Sequence, residues 1–328
     1  MALDAARILL KGHRALETTD ITQRTLELLK KSTIDEIHLF GRRGPAQASF
    51  TNKELREMFD LEGCQTIIAK EDLSELNSAS VTEIASSRQH KRMIEMMQKK
   101  ATLLSKKEIQ SLMEEEPSGK EKKCFVHFHS NPVAYLPSKE NESRLGGLII
   151  EKTKLVGDAN CQSAVGTGEQ TVLRGCGMSL ESIGYFPLPI PGIPFNDRGA
   201  LHHDQGRVFL KDGTPMEGMY ASGWFKRGPS GIIGTNVWDA QETSRSLIED
   251  LVKGRLPLEN RQPFYQGISD LIDEKTLHKH TVSWKDWMTI EQHEEHLGST
   301  LSPPKPREKL LTSSDMLQIL QTRHNADI

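Results

Sequence analysis

The chain has 328 residues, room for two domains and a sizeable core. Its 42 Lys and Arg nearly balance its 45 Asp and Glu, a formal net charge of −3. No global field therefore points to nucleic acid or an anionic membrane, and any electrostatic partner site is local. No apolar run approaches the ~20 residues of a membrane span. The four cysteines, Cys64, Cys124, Cys161 and Cys176, stand far apart with no Cys-x-x-Cys pair, which favours reduced thiols over a zinc site or a disulfide framework.

Residues 1–14 are amphipathic and carry Arg7, Lys11 and Arg14, as an organelle transit peptide would. Asp4 interrupts the run, and Ser and Thr are absent before Thr18, so the pattern predicts an ordinary helix over 2–11 and no visible targeting signal. Asp20 or Thr22 can cap a second helix at 23–31. Residues 36–40 read as a short strand ending in Gly41-Arg-Arg-Gly-Pro45, after which Thr51 or Asn52 caps a helix at 53–59. Helix, strand, turn and helix follow the rhythm of a doubly wound α/β domain. A long polar helix is expected over 83–107, an exposed loop over 114–123, and strands over 124–129 and 146–155, the second as part of a β-ribbon.

Residues 180–185 read as the end of a buried strand. Pro187, Pro189, Pro191 and Pro194 then mark a domain crossover. Residues 220–236, Tyr-Ala-Ser-Gly-Trp-Phe-Lys-Arg-Gly-Pro-Ser-Gly-Ile-Ile-Gly-Thr-Asn, join an apolar run to a helix at 240–253. A linker at 256–263, a helix from Trp284, a loop at 298–306 and a last helix at 316–321 complete the chain.

Arg42 and Arg43 stand at the end of a strand, where an α/β dinucleotide domain reads the adenosine ribose. Arginine at that position accommodates a 2′-phosphate and favours NADP over NAD; a pair of solvated cations is the plainer meaning. Arg88 and Arg92 are four apart on one helix face, flanked by His90 and Lys91, and suit either docking of an acidic protein or simple solvation. In 220–236, Gly223, Gly228, Gly231 and Gly234 allow close backbone approach, and Trp224 offers a flat face to a planar ring. A tight surface loop with a core tryptophan fits the same pattern. Asp239 can orient a ring nitrogen, carry a proton, or serve only as a charge near a helix start. No catalytic group stands out, and the histidines lack carboxylates at ligand spacing, so no metal site is expected.

Several of these stretches resemble the adrenodoxin-type NADPH–ferredoxin reductase family. They are Phe40-Gly-Arg-Arg-Gly-Pro45 with Ala48-Ser-Phe-Thr-Asn-Lys-Glu-Leu-Arg-Glu-Met58, residues 180–185 with Pro194-Phe195, and Gly218-Met-Tyr-Ala-Ser-Gly-Trp-Phe-Lys-Arg-Gly-Pro-Ser-Gly-Ile-Ile233. Ser283-Trp-Lys-Asp-Trp287 and Lys305-Pro-Arg-Glu-Lys-Leu310 are similar to that family's C-terminal tail. The matches run nearly end to end in one order, and residues 60–175 are looser.

The resemblance implies an α/β flavoprotein oxidoreductase of two Rossmann-like nucleotide-binding domains. Residues 1–185 would bind NADP and carry a ferredoxin-docking helix, and residues 186–328 would form the C-terminal part of an FAD domain. NADPH would deliver a hydride to FAD, and electrons would pass singly to a [2Fe–2S] ferredoxin of the adrenodoxin type. Arg42 and Arg43 would hold the 2′-phosphate, with Glu54 as a further NADP contact. Trp224, Gly231, Ile232 and Ile233 would lie near the flavin, Gly231 also near the nicotinamide, and Arg88 and Arg92 would meet the ferredoxin. The family also implies the mitochondrial matrix side, with peripheral association with the inner membrane and no nucleic-acid partner.

One departure qualifies this. The family begins with an FAD-binding Gly-x-Gly-x-x-Gly turn, and a second Gly-rich turn later cradles the NADP pyrophosphate. This sequence starts at the end of that second turn. Both domains are therefore expected to be incomplete on their N-terminal side, as in an N-terminally truncated form. The alternative function is a catalytically inactive fragment acting as a ferredoxin-binding module.

Overall fold

A computed structural model of the chain describes residues 1–114, 121–185, 188–195, 201–229, 231, 233–256, 270 and 281–326. They form two compact units, Met1–Glu181 with Ser283–Ile328, and Ser182–Val282.

In the first unit, α1 (Ala2–Lys11) buries Leu3, Ala6 and Leu10, spaced as one helix face requires. Thr22 caps α2 (Gln23–Lys30), its hydroxyl accepting from the Thr25 N–H. β1 (Glu36–Phe40) leads through a short 3-10 turn, Pro45–Gln47, to α3 (Asn52–Phe59). β2 (Cys64–Ala69), α4 (Lys70–Ser74), α5 (Ser78–Ser86), α6 (Arg88–Lys100), β3 (Thr102–Leu104), α7 (Lys106–Glu114) and β4 (Lys122–His127) follow. The four strands form a parallel sheet in the order β1-β4-β2-β3.

Alternation along the strands divides the core between the two sheet faces. Cys124 and Val126 meet Leu10, Leu55, Met58 and Met93 on one side. Phe125 and Ile67 meet Ile109 and Met113 of α7 on the other. That second face also packs on Leu148 and Leu173 of an antiparallel sheet, β5-β6-β7, built from β5 (Ser130–Pro137), β6 (Leu145–Val156) and β7 (Ser163–Arg174).

Two expectations change here. The single helix over 83–107 is broken at Ser87, which is extended (φ −127°, ψ 111°), and its side chain accepts from the His90 N–H to start a new helix. Serine favours that capping role over a helix interior. After α6 the chain turns extended again and adds β3 to the sheet. Residues 180–185 form no strand: no strand among the described residues pairs with them, and Ile183 is 90 % exposed.

In the second unit, β8 (His203–Asp204), β9 (Arg207–Phe209) and β10 (Pro215–Tyr220) make an antiparallel sheet in the order β10-β9-β8. It has a small core of Leu201, Val208 and Ala221. A four-residue helical turn, α8 (Trp224–Arg227), precedes the long α9 (Ile233–Val252). Arg207 Nε donates to Asp250 Oδ2 at 2.6 Å and the Tyr220 hydroxyl donates to the same oxygen at 2.8 Å, which ties α9 to the sheet. The expected linker falls, from residue 257 on, outside the described residues, as do Pro187 and most of the expected loop at 114–123.

The C-terminal segment packs with the first unit. It contains α10 (Trp284–Thr300) and α11 (Ser313–Ala326). Lys305 is buried and donates to the Ile21 carbonyl at 2.7 Å, and Glu308 accepts from the Gln23 N–H at 2.8 Å. A Cβ on Gly298 would lie 2.5 Å from Arg307 Cα, so only glycine lets the two segments close. The Lys-Pro-Arg-Glu-Lys-Leu run is thus the clasp between α2 and α10.

Candidate functional site

Two constellations stand out, one in each unit. The first is the turn at the carboxyl end of β1, the end at which ligands bind in open parallel sheets. Its backbone is held from residue to residue. The Gly41 N–H donates to the His127 carbonyl at 2.9 Å, and the Gly41 carbonyl accepts from the Ser130 N–H at 3.0 Å. The Arg42 carbonyl accepts from Thr153 Oγ1 at 2.5 Å, and the Arg43 carbonyl accepts from the His129 N–H at 3.1 Å. The chain bends at Arg42 and Arg43, and both side chains are exposed without an ion pair among the described residues. A fixed backbone with two uncompensated guanidinium groups is suited to a phosphate, which accepts from their planar forks.

Glu54 is already engaged: its carboxylate accepts from the Thr51 N–H at 2.7 Å while Thr51 Oγ1 accepts from the Glu54 N–H at 3.2 Å. This capping box fixes the start of α3 just beyond the turn. Glu83, missed in the sequence, supports the same turn from below. Its buried carboxylate accepts from Gln47 Nε2 at 2.6 Å, from Gln162 Nε2 at 2.9 Å and from the Asn160 N–H at 2.7 Å.

Beneath the turn, His38, Phe40, Phe125 and His127 stack with nearly parallel rings. Burial, reinforced by His38 at 2.8 Å, holds His127 well below the ordinary histidine value of 6.5, so it is neutral. His129 is also held down by burial and has a left-handed backbone, φ 52°. Its side chain fills the space a Gly44 side chain would need, with Nε2 2.9 Å from that position.

Arg88 and Arg92 are exposed on α6 and unpaired among the described residues, so they present a free basic face.

The second constellation is the Gly-rich turn. Gly223, Gly228 and Gly231 have φ of 71°, 77° and 91°, the left-handed region that favours glycine. At Gly231 a Cβ would also meet Thr235 Oγ1 at 2.8 Å. Trp224 is 54 % exposed and lies against Tyr185, with ring centroids 5.6 Å apart. The plainer reading of a core tryptophan does not hold. Asp239 is spent on the turn: its carboxylate accepts from Ser222 Oγ at 3.0 Å and from the Gly223 N–H, and pairs with Lys226. Burial alone would raise its pKa, but these bonds hold it below the ordinary 3.8. Ile232 lies outside the described residues, and of Ile233 only the backbone is described, at the first position of α9.

Among the described residues no group of three or more His, Cys, Asp or Glu is placed to hold a metal, and no helix is long and apolar enough to cross a membrane. The cysteines are free, and burial raises the Cys124 thiol to about 12.

No protein-family model matches the sequence. The chain is 37 % identical over 324 residues to the mitochondrial NADPH:adrenodoxin oxidoreductase of Salvelinus fontinalis, covering 97 % of this chain and 61 % of the relative. It is 37 % identical to the Arabidopsis thaliana protein of the same name, covering 97 % and 64 %. In three dimensions it matches Mycobacterium tuberculosis FprA in complex with NADPH, with a TM-score of 0.77, 29 % identity and coverage of 97 % of this chain and 64 % of that one. The described residues form a mixed α/β architecture with one parallel sheet and two antiparallel ones. The similarity is thus to NADPH-dependent oxidoreductases, over nearly the whole of this chain. It spans 61 % to 64 % of the length of the first two relatives.

Proposed function

We propose that the chain carries the function of an adrenodoxin-type NADPH–ferredoxin reductase, a flavoprotein oxidoreductase taking electrons from NADPH to a [2Fe–2S] ferredoxin. The observation that carries this is the turn at 41–44, where hydrogen bonds fix the backbone and leave Arg42 and Arg43 exposed and unpaired. Bound FAD would supply the exchange between a two-electron donor and a one-electron acceptor.

The NADP role falls to the first unit, whose parallel sheet is Rossmann-like, and a part of the FAD role to the second. Arg42 and Arg43 hold the 2′-phosphate, and the α3 start capped through Glu54 keeps their turn in place. Trp224 fits FAD as an exposed aromatic face, and Gly231, an exposed glycine with φ 91°, fits it as a position without a side chain to block a ring. Gly231 also serves the nicotinamide, and Ile232 and Ile233 are assigned to FAD. Arg88 and Arg92 dock the acidic ferredoxin. The mitochondrial relatives favour a mitochondrial site of action, which we place on the matrix side with at most peripheral contact with the inner membrane.

A second reading is a ferredoxin-binding module without catalysis, resting on the exposed basic face of Arg88 and Arg92. The visible spectrum of the purified chain decides between them. A stoichiometric flavin band that bleaches with NADPH supports the reductase. A colourless protein that still binds ferredoxin supports the module.

A further inference from the structure

The turn that carries Arg42 and Arg43 is pinned through three successive carbonyls. Gly41 and Arg43 receive backbone amides, from Ser130 and His129, which almost any residue there would supply. The Arg42 carbonyl receives the hydroxyl of Thr153, at 2.5 Å, from a strand of the other sheet. Thr153 is 5 % exposed, and its own N–H donates to the His129 carbonyl at 2.8 Å. The pairing of β6 with β7 shifts register between Glu151 and Thr153. Such irregularities re-aim a side chain out of the regular alternation.

Adjacent side chains on extended backbone point to opposite faces. Two neighbouring arginines reach one dianionic group together only if the chain bends between them, as it does at Arg42 and Arg43. We infer that Thr153 is a positioning residue for that bend, and that its hydroxyl sets how strongly the chain discriminates a 2′-phosphorylated adenine nucleotide from one without the 2′-phosphate. The inference rests on the reading of Arg42 and Arg43 as the 2′-phosphate site. Thr153 touches no nucleotide in this account; it holds the peptide that aims the Arg42 guanidinium. A hydroxyl–carbonyl bond of this kind is worth about tenfold in an equilibrium.

The test measures binding of adenosine 2′,5′-bisphosphate and adenosine 5′-monophosphate to the full chain by calorimetry. Thr153→Val keeps the shape and removes the donor. It is expected to lower affinity for the bisphosphate about tenfold and to leave the monophosphate unchanged. Thr153→Ser, which keeps the hydroxyl, is expected to restore the wild-type ratio. Thr153→Ala gives the same ratio test should the valine fail to show a cooperative melt. Equal losses for both nucleotides, or an unchanged ratio beside a clear loss in Arg42→Ala, would overturn the role of Thr153 and leave the arginine site standing. Absence of any 2′-phosphate preference in the wild-type chain would overturn both.

Discussion

Lys226 and Asp239 form a buried ion pair, Nζ to Oδ1 at 3.2 Å, under the turn that presents Trp224. Lys226 also donates to the Asp239 carbonyl at 3.2 Å and to Thr243 Oγ1 at 3.1 Å, while Thr243 Oγ1 donates to the Ala221 carbonyl at 2.9 Å. The pair therefore fastens the start and the middle of α9 to the turn. Asp239→Asn keeps the shape and removes the charge. Glu242, half exposed, still pairs with Lys226 and softens the loss. The expected cost is about 2 kcal/mol, below that of a buried cation left wholly unpaired. Urea unfolding measures it, and a midpoint equal to wild type would contradict the buried role of the pair.

The stacked histidines predict a pH dependence of stability. His127 is held well below 6.5, first by burial and then by His38, and burial lowers His129 in the same direction. The unfolded chain takes up protons at these positions as the pH falls through about 6.5, and the folded chain resists. Their contribution is therefore fully present above the unfolded value and drains away as the pH falls toward the folded one. The melting temperature should drop between about pH 7 and 5.5. His127→Phe keeps the ring stack with Phe40 and removes a titrating group, so the drop should shrink, His129 supplying the remainder. A variant as pH-sensitive as wild type would count against this origin.

Glu83 titrates in a different window. Burial alone would raise its pKa, but hydrogen bonds from Gln162, the Asn160 N–H and Gln47 bring it below the ordinary 4.5. A depressed carboxyl stabilises the fold above its unfolded value, and that stability is lost as the pH falls below it. Glu83→Ala removes the acceptor of three hydrogen bonds, although Gln47 and Gln162 still donate to Ser80 Oγ, and is expected to cost about 2 kcal/mol. It should also weaken the acid-induced loss of stability below about pH 4.5. Thermal melts at about pH 7 and pH 4 separate the two effects. Equal destabilisation at both would remove Glu83 from the acid response.

The Arg42–Arg43 turn was legible because its signals are local. Gly41, Gly44 and Pro45 mark a bend, and Thr51 with Glu54 announces a capped helix start. The break at Ser87 was also written locally, as a capping residue ahead of a helical run, but the charge pattern of 83–107 is continuous and hid it. β3, only Thr102–Leu104, is too short to show a period, and its strand identity comes from pairing with β2. Leu180 and Ile183 looked like core because they are apolar, yet burial depends on a neighbour that the sequence does not name. Thr153 and Glu83 had no readable signal. Their partners are 111 residues away for Thr153, and 36 to 79 for the side chains that meet Glu83, joined only once the sheets are assembled. Lys305 was quoted only as part of a matching motif, and its fate as a buried clasp on Ile21 follows from tertiary packing.

Arg88 and Arg92 supply the last prediction. They lie on the exposed side of α6, whose opposite side is anchored by Met93 and Met97. The face is therefore rigid and can be altered without disturbing the core. Arg88→Glu with Arg92→Glu reverses two charges in the contact proposed for an acidic ferredoxin. Charges at an interface rim act mainly on association rate, and their effect is screened over about 8 Å at physiological salt. The double variant should bind [2Fe–2S] ferredoxin about 100-fold more weakly at low salt, with a smaller difference at high salt. The melting temperature and the affinity for adenosine 2′,5′-bisphosphate should stay at wild-type values, because Arg42 and Arg43 belong to a separate turn. Ferredoxin affinity unchanged across the salt range would remove this face of α6 from docking, and a parallel loss of nucleotide binding would show that the substitutions act through the fold.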